Sequence, residues 1–544
     1  MSKVAHYLQE HLQGEVMTST DARRYFATDG SIFQVAPALI AYPRVENDVR
    51  KTCRFSWQLA ERGRIIPITA RGSGTDRTGA ALGSGIMLVF PAHMNRILEI
   101  DTKNNTVTVE PGINYAKLQQ TLHTHGQFLP PYPASLEYST IGGAIANNVS
   151  GEKSLKYGDT LDYVKGLRVV LANGEVIETR RLTKKELSKK MGLATFEGEI
   201  YRSVDTLLEE QHDLVAQLSR NVTHNNAGYN LLDIKHKDGS FDLTPLIAGS
   251  QGTLGIITEA VLKTEVHNPQ VTLVLAKFDS LEHTQAAVME LKDLSDPPSA
   301  IELINDGVLQ EIHDLNPNQI NDIIQPPFPL ATLLIEFDSG ERAVKKVLKK
   351  LNKILENYAL DFEVSDDPER QQQFWKLRQS TSALIGHNEG SARAVPLIDD
   401  AAVPADRLRE YLEGSTHILT TNNLPAAVWG HAGDGNLHMQ PRLNVGQVGD
   451  RQKAFRLLEE YQRLVLRLGG TISSSAGDGR LKTPYLEAMY GPEQYGLFVK
   501  VKQIFDPYGT LNPGVKFGTS LDDLKAMIRP EYDLAHLYDH LPRS

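Results

Sequence analysis

Between Ala36 and about Thr264 the chain alternates short apolar runs with glycines and other turn residues. Arg64–Thr69, Ile86–Phe90, Arg96–Ile100 and Thr106–Glu110 are each bounded in this way and predict strands. Asn114–His125, following the Pro111-Gly112 break, predicts a helix. Val164–Ala172 and Val176–Thr179 flank Asn173-Gly174, a hairpin signal, and Leu254–Leu262 predicts one more strand. Residues up to about 35 read as a helical preface. Beyond about residue 270 the rhythm changes. Val271–Phe278, Ala300–Ile304, Ala331–Phe337 and Ala359–Val364 read as strands, with helical segments ending near Leu291 and covering Glu341–Leu355. Two β-α-β units of this kind predict a separate α+β domain with helices on one face of an antiparallel sheet. Arg451–Leu468 is a further long amphipathic helix.

Composition narrows the picture. The 544 residues are 41% hydrophobic and 23% charged, which is globular and large enough for several domains. A net charge of -10 argues against an electrostatic nucleic-acid binder. A single cysteine, Cys53, excludes a disulfide framework and any four-cysteine zinc or iron–sulfur site held by this chain alone. No apolar stretch approaches the ~20 residues that span a bilayer. The opening MSKVAHYLQEHLQGEV is a polar amphipathic helix without the apolar core of a signal peptide. The expectation is a cytoplasmic protein, with peripheral membrane contact left open. The lysine-rich run Lys184–Lys190 reads as a solvated helix face or linker.

Three glycine-rich segments carry the first chemistry. Thr69–Ala80 follows a strand and contains Gly72, Gly74 and Gly79. Glycines allow positive φ and close backbone approach, so successive N–H groups can line a concavity that suits phosphate oxygens. The segment lacks the third glycine of a Rossmann fingerprint, and Ala80-Ala81 replaces the Lys-Ser/Thr of a P-loop. The second segment runs from Pro130 through Ser139–Gly151 to Lys156-Tyr157-Gly158. Its small residues, Asn amides and glycines suit a backbone-lined groove for a large polar ligand. The third is Gly249-Ser250-Gln251-Gly252-Thr253, directly before a strand.

Together these segments resemble the FAD-binding domain of the vanillyl-alcohol oxidase/PCMH flavoprotein superfamily. The nearest branch is that of the D-type subunit of glycolate oxidase and the D-lactate and D-2-hydroxyglutarate dehydrogenases. The resemblance runs from about Asp21 to Lys516. It implies an α+β protein: a PCMH-type FAD-binding domain (residues 36–268) and a ferredoxin-like α+β cap, or substrate, domain (269–480). The helical segment 1–35 would precede them, and 481–544 would return to the FAD domain. Arg71, Gly72, Ser73, Gly74, Thr75, Asp76 and Gly79 would line the pyrophosphate, as would Gly142, Gly143, Ala146, Asn147, Asn148, Ser150 and Gly151. Pro133, Ser135 and Thr140 would approach the ribityl chain or isoalloxazine, Gly252, Ile256 and Ile257 would back the adenine or flavin side, and Tyr157 and Gly158 complete the implied FAD set. Neither main flavin loop holds a His, and Cys53 precedes them, so the FAD is expected to be non-covalent.

The fourth motif is Gly430-His431-Ala432-Gly433-Asp434-Gly435-Asn436-Leu437-His438. Two imidazoles across a glycine-rich turn can converge on one divalent ion. The resemblance implies a divalent metal such as zinc, bound by His431, His438 and a Glu, that holds a substrate carboxylate and hydroxyl. In this chain Ser475 stands at the place of that Glu, and Ala476 at that of the family's catalytic His. Ile398 stands where a substrate-binding Lys often begins its stretch. The third metal ligand is thus missing, and so is the base expected to be worth ~10²–10⁴-fold. Arg378 resembles the family Arg that grips substrate carboxylate, a bidentate task suited to Arg, and Asn512 resembles a residue approaching flavin or substrate. His438, Arg378 and Asn512 are therefore the candidate catalytic residues.

These features predict an FAD-dependent oxidoreductase that oxidises a D-lactate-like D-2-hydroxy acid. Its electrons would pass to a quinone, cytochrome, electron-transfer flavoprotein or oxygen. Two alternatives stay open: a metal-independent flavin oxidoreductase for another alcohol, and a flavin-binding subunit without its own catalysis.

Overall fold

The structure, a computed structural model, describes residues 2–386 and 390–534. Residues 535–544, the end of the expected returning segment, lie outside the described residues. The flavin-domain part of the chain builds two sheets. The first has the strand order Glu15–Met17, Leu39–Tyr42, Ile86–Val89, Ile68–Arg71, with the last three strands mutually parallel. Helix Glu46–Ala60 connects two of those strands and buries Val49 and Cys53 against them. The second sheet is antiparallel, in the order Ile97–Asp101, Thr106–Val109, Ile256–Lys263, Val164–Val170, Val176–Thr179. Its hairpin turns at Asn173-Gly174, where Gly174 takes φ 84°.

The preface is not wholly helical. Helices Ser2–His11 and Thr20–Tyr25 enclose a strand, Glu15–Met17, that pairs antiparallel with Leu39–Tyr42. A three-residue strand with alternating exposure leaves no period long enough to register in the sequence.

The cap is a seven-stranded antiparallel sheet. Its first four strands in chain order are Thr272–Phe278, Ala300–Asn305, Ala331–Phe337 and Asp361–Ser365. They lie in the spatial order fourth, first, third, second, which is the ferredoxin-like arrangement. Strands Trp429–His431, Asn436–His438 and Ala401–Ala402 extend it beyond Ala300–Asn305. Helices cover both faces, contrary to the one-faced expectation. Val274 and Ala276 face the main core with helix Leu281–Lys292, while Leu273 and Leu275 face helices Asp306–Leu315 and Pro368–Gln379. Every residue of Ala331–Phe337 is buried, as a doubly covered strand requires.

Two features join the parts. Asp338 of the cap accepts hydrogen bonds from Lys156 (2.7 Å) and Tyr157 (2.9 Å) and lies 3.3 Å from Lys153, all on the flavin side. Further on, helix Leu486–Phe505 packs on helix Phe196–Glu210, and the chain then runs beside Ile68. There Ile68 donates to Thr510 (2.8 Å) and accepts from Asn512 (2.8 Å). Among the described residues no helix is long and apolar enough to cross a membrane.

Candidate active site

A cleft of about 1540 Å³, open mouth included, lies between the two flavin-domain sheets and the cap. Of the expected FAD contacts, Arg71–Asp76, Pro133, Ser135, Thr140, Gly142, Gly143, Ala146, Asn147, Ser150, Gly252, Ile256 and Ile257 line it. The local reasons are steric and polar. A Cβ on Gly72 would sit 2.2 Å from Thr140 Oγ1, and one on Gly142 would sit 2.5 Å from Pro111 Cβ. Only glycine lets these loops close on each other. Thr140 caps helix Ile141–Asn147 by accepting from Gly143 N–H. The Asp76 carboxylate turns inward and accepts from Thr78 N–H, Thr78 Oγ1 and Ala80 N–H, holding the loop in shape. Arg71 braces the same loop from behind, donating to Thr28 O (2.8 Å) and Ala81 O (3.3 Å) beneath Gly74. Burial lowers its pKa to about 10. Backbone from three glycine-rich segments thus forms a long cradle that fits a dinucleotide.

Five expected contacts lie off the cleft wall. Gly79 takes φ 82° against Phe33, and Asn148 caps the helix at φ 47° while donating to Asp159 and Asn226. A Cβ on Gly151 would strike Tyr132 O at 1.9 Å, and one on Gly158 would strike Asp162. Tyr157 binds Asp338. All five shape the cradle from behind.

The cap supplies the opposite wall through His431, His438, Asp399, Asp400, Ser475 and Ala476, and Lys482 from the segment that follows joins them. Strand pairing explains the histidines. Trp429–His431 pairs with Asn436–His438, and the register sets His431 opposite Glu302 on Ala300–Asn305. Glu302 accepts from His431 Nδ1 (2.6 Å) and from Arg378 Nε (2.6 Å). Asp399 accepts from His438 Nδ1 (2.6 Å) and from Arg77 (2.6 Å). The imidazole centroids lie 5.3 Å apart at 88°.

Charge separates the two rings. Burial opposes protonation of both. At His431 the Glu302 carboxylate outweighs burial and raises the pKa, while at His438 burial prevails and lowers it. Burial also acts to raise Asp399, but Arg77 and His438 hold it well below the usual carboxylate range.

Two candidate catalytic residues sit elsewhere. Arg378 is 6% exposed, on helix Pro368–Gln379, and stands behind Glu302, off the cleft wall. Asn512 is 1% exposed and holds Thr69, Ala80 O and Gln251 O together beneath the flavin loops. Both stand behind the cleft wall.

Nor does the donor set fit a divalent metal. Ser475 and Ala476 face the cleft where further ligands are needed, and the nearby carboxylates are already engaged, Asp399 by His438 and Arg77, and Glu302 by His431 and Arg378. Asp400 accepts from Ser475 N–H (2.7 Å), Ser475 Oγ (2.5 Å) and Ala476 N–H (3.1 Å), and it pairs with Lys482 (3.1 Å). Among the described residues no group of three His, Cys, Asp or Glu is arranged to hold a metal ion. Sequence reasoning assigned no role to Arg77, Asp399, Asp400 or Lys482. The adjacent acids at 399 and 400, just before a buried apolar strand, were the only local signal.

Known proteins share this architecture. Residues 37–180 match the FAD binding domain family, and residues 267–515 match the FAD linked oxidases, C-terminal domain. The chain is 30% identical over 488 residues to glycolate oxidase subunit GlcD of Bacillus subtilis, covering 89% of this chain and 90% of that protein. It is also 30% identical over 533 residues to the D-2-hydroxyglutarate dehydrogenase of Escherichia coli, covering 94% of this chain and 51% of that protein. The chain thus spans about half the length of such dehydrogenases. The structure of p-cresol methylhydroxylase with substrate bound superposes with a TM-score of 0.69 at 14% identity, over 96% of this chain and 97% of that one, and so shares the fold. With both family domains in order along one chain, and a relative matched over nearly its whole length, the protein belongs to the FAD-linked oxidases.

Proposed function

We propose that the chain oxidises the CH–OH carbon of a small, D-lactate-like 2-hydroxy acid, with residues 36–268 and 481–544 holding FAD and 269–480 forming the substrate side. One observation carries this reading: two imidazoles, each bonded through Nδ1 to a buried carboxylate, face the cleft that the flavin loops wall, and their surroundings displace their pKa values in opposite directions. Groups whose environments drive their pKa values apart divide acid and base roles between them. His438, kept neutral and oriented by Asp399, takes the hydroxyl proton. His431, its charge favoured by Glu302, holds the substrate carboxylate that the family's metal would otherwise hold. Bound FAD supplies the acceptor for the hydride leaving the same carbon. Asp399, itself held by Arg77, keeps the His438 ring in place and compensates the imidazolium that forms, and Glu302, held by Arg378, does the same for His431.

The test is anaerobic mixing of holoprotein with D-lactate, glycolate, D-2-hydroxyglutarate and D-malate, following bleaching of the flavin's visible band. Bleaching by one of the acids, unchanged after dialysis against EDTA, is the expected result. Loss of bleaching on chelation would overturn the metal-free mechanism. A second reading, a neutral alcohol as substrate, is favoured by the pairing of Arg77 and Lys482 with carboxylates. It predicts bleaching by alcohols alone. No bleaching by either class, in a protein that dithionite still reduces, would leave a flavin-binding subunit. The same anaerobically reduced protein, mixed with quinone, cytochrome, electron-transfer flavoprotein or oxygen, identifies the acceptor.

A further inference from the structure

Asp29 is a fully buried carboxyl that no step of the proposed reaction uses. It lies in the loop after helix Thr20–Tyr25, and that loop is tied to the back of the flavin loop. Arg71 Nη2 donates to Thr28 O (2.8 Å), and Gly30 N–H donates to Gly74 O (2.9 Å). A Cβ on Gly30 would stand 2.8 Å from both Thr75 O and Asp76 O, so only glycine allows this approach. Residues 74–76 line the cleft on their other side. Asp29 therefore stands directly behind the backbone expected to meet the pyrophosphate.

The oxygens of Asp29 are used unequally. Oδ1 accepts from Ser31 N–H (2.9 Å) and Ser31 Oγ (2.5 Å). Oδ2 is buried and meets no donor, and among the described residues no cation is paired with this carboxyl. Charged groups face it at longer range: Asp76 and Arg71 from the flavin loop, Arg480 from the segment after the cap, and Arg529 from the C-terminal stretch. From that stretch Tyr532 also reaches the loop, donating to Gly30 O (3.0 Å). Asp76 is better served, since it accepts from Thr78 N–H, Thr78 Oγ1 and Ala80 N–H. Of the two facing carboxyls, Asp29 is thus the one whose charge is poorly met. A buried oxygen without a donor is costly on an ionised carboxylate and far less so on a neutral acid. Burial and the charge of Asp76 raise Asp29 to about 7, against the opposing pull of Ser31 and Arg71.

We propose that Asp29 takes up a proton when FAD binds, so that cofactor affinity rises as pH falls. A pyrophosphate in the cradle puts negative charge in front of the loop, with Asp76 and Asp29 behind it. That charge favours the neutral form of Asp29. The proton passes from solvent to Asp29, and no other bond forms or breaks. Coupling is reciprocal: if FAD makes Asp29 hold its proton more tightly, the proton makes the protein hold FAD more tightly. At low pH Asp29 is neutral with and without FAD, and affinity is at its highest. As pH rises through about 7, the FAD-free protein loses the proton first, and affinity falls. The proposal rests on the reading that the Arg71–Gly79 loop holds the pyrophosphate, but not on either histidine or on any substrate.

Serial dilution of the holoprotein, with released FAD read by its fluorescence, gives the dissociation constant at each pH. The wild-type constant is expected to rise about tenfold between pH ~6 and pH ~9, the effect of raising one carboxyl by about one pKa unit. Asp29→Asn, an isostere of the neutral acid, is expected to keep the low-pH affinity to within about twofold across that range. Ser31→Ala removes a hydrogen bond that favours the charged form, so it is expected to move the midpoint of the profile to higher pH. A wild-type constant that does not change with pH overturns the proposal, and so does a profile that Asp29→Asn leaves unchanged. Equal loosening of FAD at every pH in Asp29→Asn also overturns it and makes Asp29 a fixed structural anion. If Asp29→Asn does not fold, the Ser31→Ala midpoint decides, and an unmoved midpoint overturns the proposal. A protein that retains FAD without pH dependence refutes the proton coupling alone. One that retains no FAD at any pH refutes the cofactor reading with it.

Discussion

At the scale of single residues, the proposed reaction depends on His438 and on a few glycines. Under the proposal, replacing His438 by Gln removes the proton acceptor while leaving the flavin loops intact. The expected result is a fall in kcat of about 10²–10⁴-fold at unchanged flavin content, read by anaerobic stopped flow. Gly72→Ala places a methyl group 2.2 Å from Thr140 Oγ1. It is expected to release FAD from a chain that still folds, seen as loss of the visible spectrum with the circular dichroism preserved. The glycines were legible from the sequence because a cluster of them, in a non-periodic stretch after a strand, has few structural uses. The acid–histidine pairs were not legible. Asp399 and His438 are 39 positions apart, and Glu302 and His431 are 129 apart. Only the strand register brings them together. Asn512 and Arg378 have residue types that suit ligand contact, but both are buried off the cleft wall, where Asn512 donates to backbone carbonyls and Arg378 to the Glu302 carboxylate.

At the scale of elements, a charged link between the halves is the group around Asp338. One carboxylate, 3% exposed, gathers Lys153, Lys156 and Tyr157 from the segment that follows the flavin helix. Attraction to the two lysines overcomes burial and keeps the carboxyl below its usual range. Asp338→Ala leaves two half-buried lysines and a tyrosine without their shared acceptor. It is expected to lower stability by about 3 kcal/mol, measured by denaturant titration of the holoprotein. Strands such as Ile86–Val89 and Thr272–Phe278 were legible because short apolar runs between turn residues have one common explanation, whereas the short strands Trp429–His431, Asn436–His438 and Ala401–Ala402 were not. Which faces of the cap sheet were covered was not. A strand buried throughout, such as Ala331–Phe337, has no polar side to indicate direction. The covering helix Pro368–Gln379 has a mixed polar surface, with Phe374 and Leu377 as its buried apolar positions.

At the scale of the whole molecule, a histidine spans the junction of the two halves. His224 lies 3.8 Å from Asp159 on the flavin side and 3.7 Å from Asp434 in the turn between the site histidines. Burial acts to lower its pKa, but Asp434, Asp159 and Asp162 prevail and raise it to about 8. A raised histidine pKa adds stability that is complete below the unfolded value of about 6.5 and is lost as pH rises through about 8. The expected contribution is on the order of 2 kcal/mol. The difference in Tm between wild type and His224→Gln should therefore be largest near pH ~6 and small near pH ~9. An unchanged difference across that range would remove His224 from the junction's energetics.

The run of chain beside Ile68 sets the order in which the molecule can be made. Thr69 and Asn512 are hydrogen-bonded across 443 positions, and Asn512 ties Ala80 O to Gln251 O, the backs of two flavin loops. A ribosome delivers the loops first and their fastener last. Nascent chains released before residue 512 are expected to hold flavin poorly even with every cleft-lining loop already synthesised, so the cofactor is captured late in translation.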